Sequence, residues 1–304
     1  MSVFEPVFEP GLVHTPVTPF ARDNRIDYDT YGKLIEFHLR SGADSLALPM
    51  HIGESVSLTD EEQRALLAFA IKQVNGRKPI IAHTSDAGSA IAADRAHHAE
   101  GLGAAAIVAT TPYYWTPPPH MIIEHFAAIG SAVAIPFFVY NSPEEMPGTK
   151  ITAELCLKLI DRLPNFAGVV DLSLDWQFMI ELLSYAKRKR PDFALIAGTE
   201  HMVSAAATGA TGLFAPLAGV APKLVRQLFD GCRKDRLVET RGAQEAVAAL
   251  RQHLKSSGNL KVVMRTMGRD CGVPRPPLQA PDVEASRALV AALEPMLRDE
   301  PRGF

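Results

Sequence analysis

Eight short apolar runs, separated by longer stretches with helical patterns, constrain the fold of this 304-residue chain more than any other feature. The runs recur roughly every 20–35 residues, which is the spacing of strand–helix units. They are almost continuously apolar, as in strands that are buried on both faces of a parallel sheet. The runs are Gly11–Thr15, Ser45–Pro49, Pro79–His83, Ala105–Thr110, Ile135–Tyr140, Ala167–Asp171, Ala194–Gly198 and Gly212–Pro216.

The segments between the runs carry helix start signals. Thr59 and Glu62 have the spacing of a capping box, and Asp27 and Thr152 stand where N-cap residues are expected. About eight strand–helix units favour an α/β fold of the (β/α)8 TIM barrel type. The alternative is a doubly wound sheet, which normally has fewer strands, and no G-x-G-x-x-G motif follows the first run.

After about Pro222 the pattern is helical only. The stretch Glu239–Leu254 is rich in alanine and leucine, and Ala280–Leu297 is a second amphipathic stretch. No low-complexity linker precedes them. We therefore predict a barrel over residues 1–222 and a C-terminal helical extension, packed on the barrel, over residues 223–304.

Composition excludes several classes of protein. The net charge of -3 gives no electrostatic basis for nucleic-acid binding. No apolar run reaches the ~18 residues of a membrane span, and residues 1–10 do not have the pattern of a signal peptide. Three widely separated cysteines, Cys156, Cys232 and Cys271, form no disulfide framework. We expect thiols in a reducing compartment, and thus a cytoplasmic protein.

In a TIM barrel the chemistry lies at the carboxyl ends of the strands. Six motifs at these ends and near the C-terminus resemble, in order, the dihydrodipicolinate synthase / N-acetylneuraminate lyase family of class I aldolases. The resemblance extends from about residue 11 to residue 280. The motifs are Thr15-Pro16-Val17-Thr18-Pro19-Phe20, His51-Ile52-Gly53-Glu54-Ser55-Val56-Ser57-Leu58-Thr59, Thr111-Pro112-Tyr113-Tyr114, Tyr140-Asn141-Ser142-Pro143, Ala167-Gly168-Val169-Val170-Asp171 and Pro274-Arg275-Pro276-Pro277-Leu278.

The resemblance implies a homotetramer or dimer and a lysine that forms an imine with a 2-oxo acid. Here Val170 stands at the lysine position and cannot form an imine. His51 and Ile52 replace two threonines that bind carboxylate and relay protons in the family. Where the family often has a carboxylate-binding arginine, this chain has Glu144-Glu145.

The predicted site combines retained and substituted positions. The catalytic candidates are Tyr140, His51 and Tyr114, and the substrate-binding candidates are Gly53, Glu54, Ser55, Val170, Asp171 and Glu200. We predict no cofactor and no metal. Two alternatives to a purely hydrogen-bonded pocket remain: a His51–Tyr140 acid–base pair, and a divalent metal held near His51, His83, Asp171, Glu200 and His201.

The predicted function is that of a lyase or aldolase-type enzyme. It would act on a small carbonyl compound or a hydroxy or oxo acid, without a Schiff base. One alternative is an inactive barrel retained as a small-molecule-binding or regulatory protein. The other is an ordinary class I aldolase that uses a lysine elsewhere in the pocket, with Lys150 as the nearest candidate.

Overall fold

The structure is a computed structural model that describes residues 8–143 and 151–304. Its strands are β1 Leu12–His14, β2 Ser45–Leu48, β3 Ile80–His83, β4 Ala106–Thr110, β5 Phe137–Asn141, β6 Phe166–Asp171, β7 Ala194–Ala197 and β8 Gly212–Ala215. Its α-helices are α1 Tyr28–Arg40, α2 Asp60–Val74, α3 Ser89–Leu102, α4 Pro119–Ser131, α5 Ala153–Arg162, α6 Trp176–Lys189, α7 Met202–Ala207, α8 Pro222–Arg233, α9 Arg241–His253, α10 Ser257–Thr266 and α11 Val283–Leu293. Short 3₁₀-helices span His51–Gly53, Ser55–Ser57 and Pro216–Gly219.

The strands form a closed barrel in the order β1 to β8. Each of the eight apolar runs overlaps one strand; β5 and β6 each extend one residue beyond the predicted run, and almost every strand residue is buried. The predicted (β/α)8 barrel is therefore confirmed, together with helices that follow the last strand. Among the described residues, no helix is long and apolar enough to cross a membrane.

The predicted N-caps are confirmed at α1, α2 and α5. Asp27 accepts a hydrogen bond from Thr30 N at 3.0 Å. Thr59 and Glu62 form a reciprocal capping box at the start of α2. Thr152 accepts from the backbone N–H of Leu155. These side chains occupy helix N–H groups that have no partner inside the helix, so local sequence fixes where the helices begin.

Cα packing divides the described residues into two compact units. Unit 1 comprises the chain up to Gly11 together with Ile80–Thr199 and Ser204–Leu213. Unit 2 comprises Leu12–Pro79, Glu200–Val203 and Phe214–Phe304. Each unit is thus assembled from segments that are distant in sequence. The division into residues 1–222 and 223–304 stays a prediction.

A pair of buried histidines links β1 to α1 within unit 2. The Nδ1 atoms of His14 and His38 lie 3.1 Å apart, so one imidazole donates to the other. Both side chains are almost wholly buried, and neither Nε2 atom has a hydrogen-bond partner among the described residues. Burial lowers the pKa of His14 to about 3, with a smaller contribution from Arg226. Burial also lowers the pKa of His38 well below its usual range, as do His14 and Arg269.

We expect this pair to make the protein less stable as the pH falls from about 6.5 towards 4. The unfolded histidines take up protons near pH 6.5 and the folded ones do not, so the unfolded state binds more protons in this window. The free energy of unfolding then falls by up to about 1.4 kcal/mol per pH unit for each histidine. Above about pH 6.5 both histidines are neutral in the folded and in the unfolded state, so they no longer change the free energy of unfolding with pH.

Urea unfolding between pH 7.5 and 4.5 measures this slope, and imidazole NMR signals identify the histidines responsible. The signals of His14 and His38 should stay at their neutral positions until the protein unfolds. A normal titration of either buried histidine in the folded protein would contradict the prediction.

Candidate functional site

The carboxyl ends of β5 and β6 bring together four residues of the predicted site region. In the register of these strands Tyr140 lies beside Val170, and Asn141 lies beside Asp171. Burial raises the pKa of Cys156 on α5, and the charge of Asp171 adds to this shift. Because successive side chains of a strand point to opposite faces, Tyr140 and Val170 project to the face opposite Asn141 and Asp171, which we predict to be the barrel interior.

Val170 is fully buried, and Tyr140 is buried beside it. Neither β5 nor β6 carries a lysine. Gly168 fixes the path of β6, because a Cβ atom there would lie only 2.2 Å from the carbonyl oxygen of Ala194 on β7. The residue predicted to stand at the position of the imine-forming lysine is therefore an aliphatic side chain on a tightly packed strand. Glu144, Glu145 and Lys150 lie outside the described residues.

Asp171 has a buried, hydrogen-bonded carboxylate. Asn141 Nδ2 donates to Asp171 Oδ1 at 2.6 Å, and Ser173 Oγ donates to Oδ2 at 2.9 Å. Burial raises the pKa of Asp171 to about 6, although both hydrogen bonds act in the opposite direction. These contacts tie the end of β6 to β5. The substrate-binding role of Asp171 stays a prediction.

The loop after β2 forms a second group of predicted site residues, in unit 2. His51 begins a 3₁₀-helix and is exposed, whereas Gly53, Glu54 and Ser55 are buried. Thr18 Oγ1 donates to the carbonyl oxygen of Gly53 at 2.6 Å. A Cβ atom at Gly53 would meet the Pro16 carbonyl oxygen at 3.0 Å. The Thr15–Phe20 motif and the loop that contains Gly53 and Glu54 are thus packed directly against each other.

Glu54 is the centre of a buried ionic network. Its backbone is left-handed, with φ of 60°, and its side chain is fully buried. Lys261 Nζ donates to Oε1 at 2.7 Å, and the backbone N–H of Arg275 donates to Oε2 at 2.8 Å. The ring of Phe20 lies beneath both cations, 4.5 Å from Lys261 Nζ and 4.3 Å from Arg275 Cζ.

This network explains Arg275 of the Pro274–Leu278 motif, for which sequence reasoning gave no role. Its guanidinium binds both carboxylate oxygens of Glu62 at 2.6 Å. It also donates to the carbonyl oxygens of Asn24 and Ser57. The sequence analysis did not identify Lys261 either. The feature that could have indicated a buried lysine is its position as the single lysine in the apolar stretch Leu260–Met264 of α10.

Glu200 is also engaged within unit 2. Its carboxylate is fully buried, pairs with Arg251 Nη1 at 2.6 Å and accepts from the backbone N–H of Leu217 at 2.7 Å. Its carbonyl oxygen accepts from Gln244 Nε2. The next residue, His201, is half-buried, and burial lowers its pKa. The observed contacts of Glu200 are thus made to α9 and Leu217 within unit 2, and its substrate-binding role stays a prediction.

Tyr114 occupies an unusual position at the end of β4. Its backbone has a φ of 84°, and its side chain is fully exposed. The following Trp115 is also largely exposed. A bulky residue in the left-handed region is strained, and such strain is typical of functional sites. The catalytic role of Tyr114 stays a prediction.

The metal alternative finds no support in the described part of the chain. Among residues 8–143 and 151–304, no three His, Cys, Asp or Glu side chains are grouped so that they could hold a metal ion. His51, His83, Asp171, Glu200 and His201 therefore do not form such a cluster. The carboxylates of Asp171 and Glu200 have the protein partners described above.

Comparisons with known proteins agree with this geometry. The model of the dihydrodipicolinate synthetase family matches residues 9–296. The 4-hydroxy-tetrahydrodipicolinate synthase of Acetivibrio thermocellus is 30% identical over 278 residues, which cover 90% of this chain and 92% of that protein. That of Chlorobium phaeobacteroides is 32% identical over 227 residues, or 74% of this chain and 75% of the relative.

A solved structure of dihydrodipicolinate synthase from Aquifex aeolicus superposes with a TM-score of 0.89 at 26% identity. The match covers 98% of this chain and all of that one. The residues matched by the family model include the barrel and the helices that follow it. The chain therefore belongs to the dihydrodipicolinate synthetase family, a family of aldolase-type lyases.

Proposed function

We propose that this protein acts on a small carbonyl compound, or a hydroxy or oxo acid, without forming a Schiff base. The observation that carries the proposal is that Val170 is fully buried beside Tyr140. The motif resemblance supports the assignment of Val170 to the position of the family's lysine. An isopropyl group can pack against a substrate and exclude water, but it cannot attack a carbonyl carbon. Family membership supports a lyase reaction, and the substitution argues against the imine route.

In this proposal Tyr140 holds or moves the proton at the reacting carbon or oxygen. It has a phenolic hydroxyl group and lies near the carboxyl end of β5. His51 is the proposed acid–base partner, because an imidazole can both donate and accept a proton. Gly53 and Ser55, in the loop after β2, are proposed substrate-binding residues.

Borohydride trapping tests the absence of an imine. We expect no mass increase when the protein is incubated with pyruvate, or with a panel of other 2-oxo acids, and then reduced. The measurement is intact-mass spectrometry, with a lysine-dependent aldolase of the same family as the positive control. An adduct mapped to Lys150, Lys261 or any other lysine would contradict the proposal and restore class I chemistry.

A binding or regulatory protein without catalysis is the second candidate. Two predicted substrate-binding carboxylates, Glu54 and Glu200, form buried ion pairs with Lys261 and Arg251. These two carboxylates are therefore less available to bind or protonate a substrate than the sequence alone suggests. Product analysis by NMR on the same panel of acids separates the two candidates. Thermal stabilisation by an acid that is never converted would favour the binding protein.

The assembly and compartment are proposals too. We infer a homodimer or homotetramer, supported by the exposed side chains of Tyr114 and Trp115 and by the family resemblance. We infer a reducing compartment, the cytoplasm, supported by three buried cysteines that form no disulfide. The proposed partner is a small molecule rather than a nucleic acid or a membrane.

A further inference from the structure

An open cavity of about 600 Å³ lies in unit 2, at the end of α1. The first turns of α8 and the segment Pro301–Phe304 complete its walls. Four cationic residues line it, namely Arg40, Lys223, Arg226 and Arg302, and none of the described lining residues is acidic. Phe37, Pro222 and Phe304 add apolar surface. The cavity thus combines positive charge with an apolar wall.

One of the four cations pairs directly with carboxylates. Arg226 Nη1 lies 2.9 Å from Asp44, and its Nη2 lies 2.5 Å from Asp230. Lys223 Nζ donates to a neutral acceptor, the carbonyl oxygen of Asp299, at 2.9 Å, and its charge also acts on the carboxylate of Glu300. Within the described part of the chain, no ion pair within 4 Å is seen for Arg40, Lys223 or Arg302. Three of the four cations that line the cavity therefore have no direct carboxylate partner.

Glu36, one helical turn before Arg40, interacts with the charge of Arg40, but its hydrogen bonds are made with other groups. Its carboxylate is held by Arg77, whose Nη1 and Nη2 lie at 2.8 Å and 2.6 Å from the two oxygens. Gln73 Nε2 donates to the same group. The guanidinium of Arg40 is exposed and faces the cavity without a dedicated carboxylate.

The wall formed by the C-terminal segment is fixed in place. Arg269, which is fully buried, donates from Nη1 to the carbonyl oxygens of Pro301 and Gly303 at 2.9 and 2.8 Å. Its guanidinium lies 4.2 Å from the ring centre of Phe37. Burial lowers the pKa of Arg269 to about 10; the charge of Arg302 acts in the same direction, and Cys271 and Glu300 act in the opposite one. Arg269 and Arg302 are thus like charges held close together beside the cavity.

The N-terminus of α8 is already occupied by the protein. The carboxylate of Glu300 accepts from the backbone N–H groups of Lys223 and Leu224 at 3.0 and 2.9 Å. The helix dipole is thus satisfied internally. Recognition of a ligand would depend on the side-chain cations, which present several donors around an open space.

We propose that this cavity binds a small phosphate-bearing molecule with an aromatic or other apolar group. Guanidinium groups bind phosphate oxygens through pairs of charge-assisted hydrogen bonds, and the unpaired cations match the charge of a phosphate dianion. The apolar group of the ligand would cover Phe37, Pro222 and Phe304. This site uses none of the residues assigned to the proposed reaction, so its test is independent of that reaction.

Isothermal titration calorimetry with phenyl phosphate tests the site, with inorganic phosphate as the comparator. We expect saturable binding of phenyl phosphate to one site per chain, about tenfold tighter than inorganic phosphate, because the ring buries apolar surface. The triple variant Arg40→Gln/Lys223→Gln/Arg302→Gln should lose at least about 20-fold in affinity. All three residues are exposed, so the fold should survive, which circular dichroism checks.

A matched variant controls for net charge. Lys187→Gln/Arg188→Gln/Lys234→Gln removes three exposed charges that do not line the cavity, and should bind phenyl phosphate like the unaltered protein. Phe304→Ala should weaken phenyl phosphate but leave inorganic phosphate unchanged. Absence of saturable binding, full binding by the cavity variant, or equal losses in both triple variants would each overturn the proposal.

Discussion

Replacement of Lys261 by methionine should destabilise the protein by about 3–5 kcal/mol, the cost of leaving one partner of a buried ion pair alone. Methionine has nearly the length of lysine and fills the same space. The carboxylate of Glu54, which is fully buried, would then lose the ammonium that lies 2.7 Å away. Urea unfolding at pH 7.5 measures the change in the free energy of unfolding.

A double-mutant cycle separates lost charge from lost packing. Glu54→Gln in the Lys261→Met background removes the uncompensated charge, so stability should largely return. Lys72→Met is the matched surface control, because Lys72 is exposed on α2 of the same unit, and it should change stability by less than about 0.5 kcal/mol. Equal stability of Lys261→Met and Lys72→Met would show that the observed ion pair contributes nothing.

Replacement of Val170 by lysine should convert the protein into one that forms a borohydride-stable adduct with pyruvate. The new ammonium group would lie in apolar surroundings, which lower the pKa of a lysine and favour the nucleophilic free amine. Tyr140, its neighbour across the strands, could serve the proton transfers of imine formation. Intact-mass spectrometry should show one adduct per chain, and peptide mapping should place it at residue 170.

Val170→Met is the control for bulk, since methionine fills comparable space and carries no amine; it should show no adduct. Thermal denaturation of both variants verifies that they are folded, because a buried amine also lowers stability. A folded Val170→Lys protein without adduct would show that the rest of the pocket no longer accepts a 2-oxo acid. The proposed replacement of the lysine by Val170 would then be only one part of a wider change in specificity.

The sequence predicted the barrel well because its signals are local. Strands buried on both faces must be apolar along their whole length, and caps such as Asp27 and Thr59 act within one helical turn. The helix α10 was not separately predicted. It is short, and Lys261 interrupts its apolar pattern because that lysine is buried against a carboxylate rather than exposed.

The site was harder to predict because partners meet through tertiary structure. Glu54 and Glu200 look like free acids in the sequence, and nothing near them indicates Lys261 or Arg251. Strand alternation could have predicted that the side chains of Val170 and Asp171 do not share one site, because adjacent strand residues point to opposite faces. The pairing of Asp171 with Asn141 required the register of two strands. Sequence patterns fix elements, whereas contacts between them decide which polar groups remain available.

The Glu54–Lys261 ion pair also limits how early the newly made chain can complete its fold. The two residues are separated by 207 positions, so at about 5–20 residues per second the ribosome adds Lys261 roughly 10–40 s after Glu54. Arg275, which holds the other carboxylate oxygen, follows later still. Throughout that interval the carboxylate has no counter-ion and must stay in water. The first segment of unit 2 therefore cannot close its core during most of translation, and a chain that stops before α10 never can.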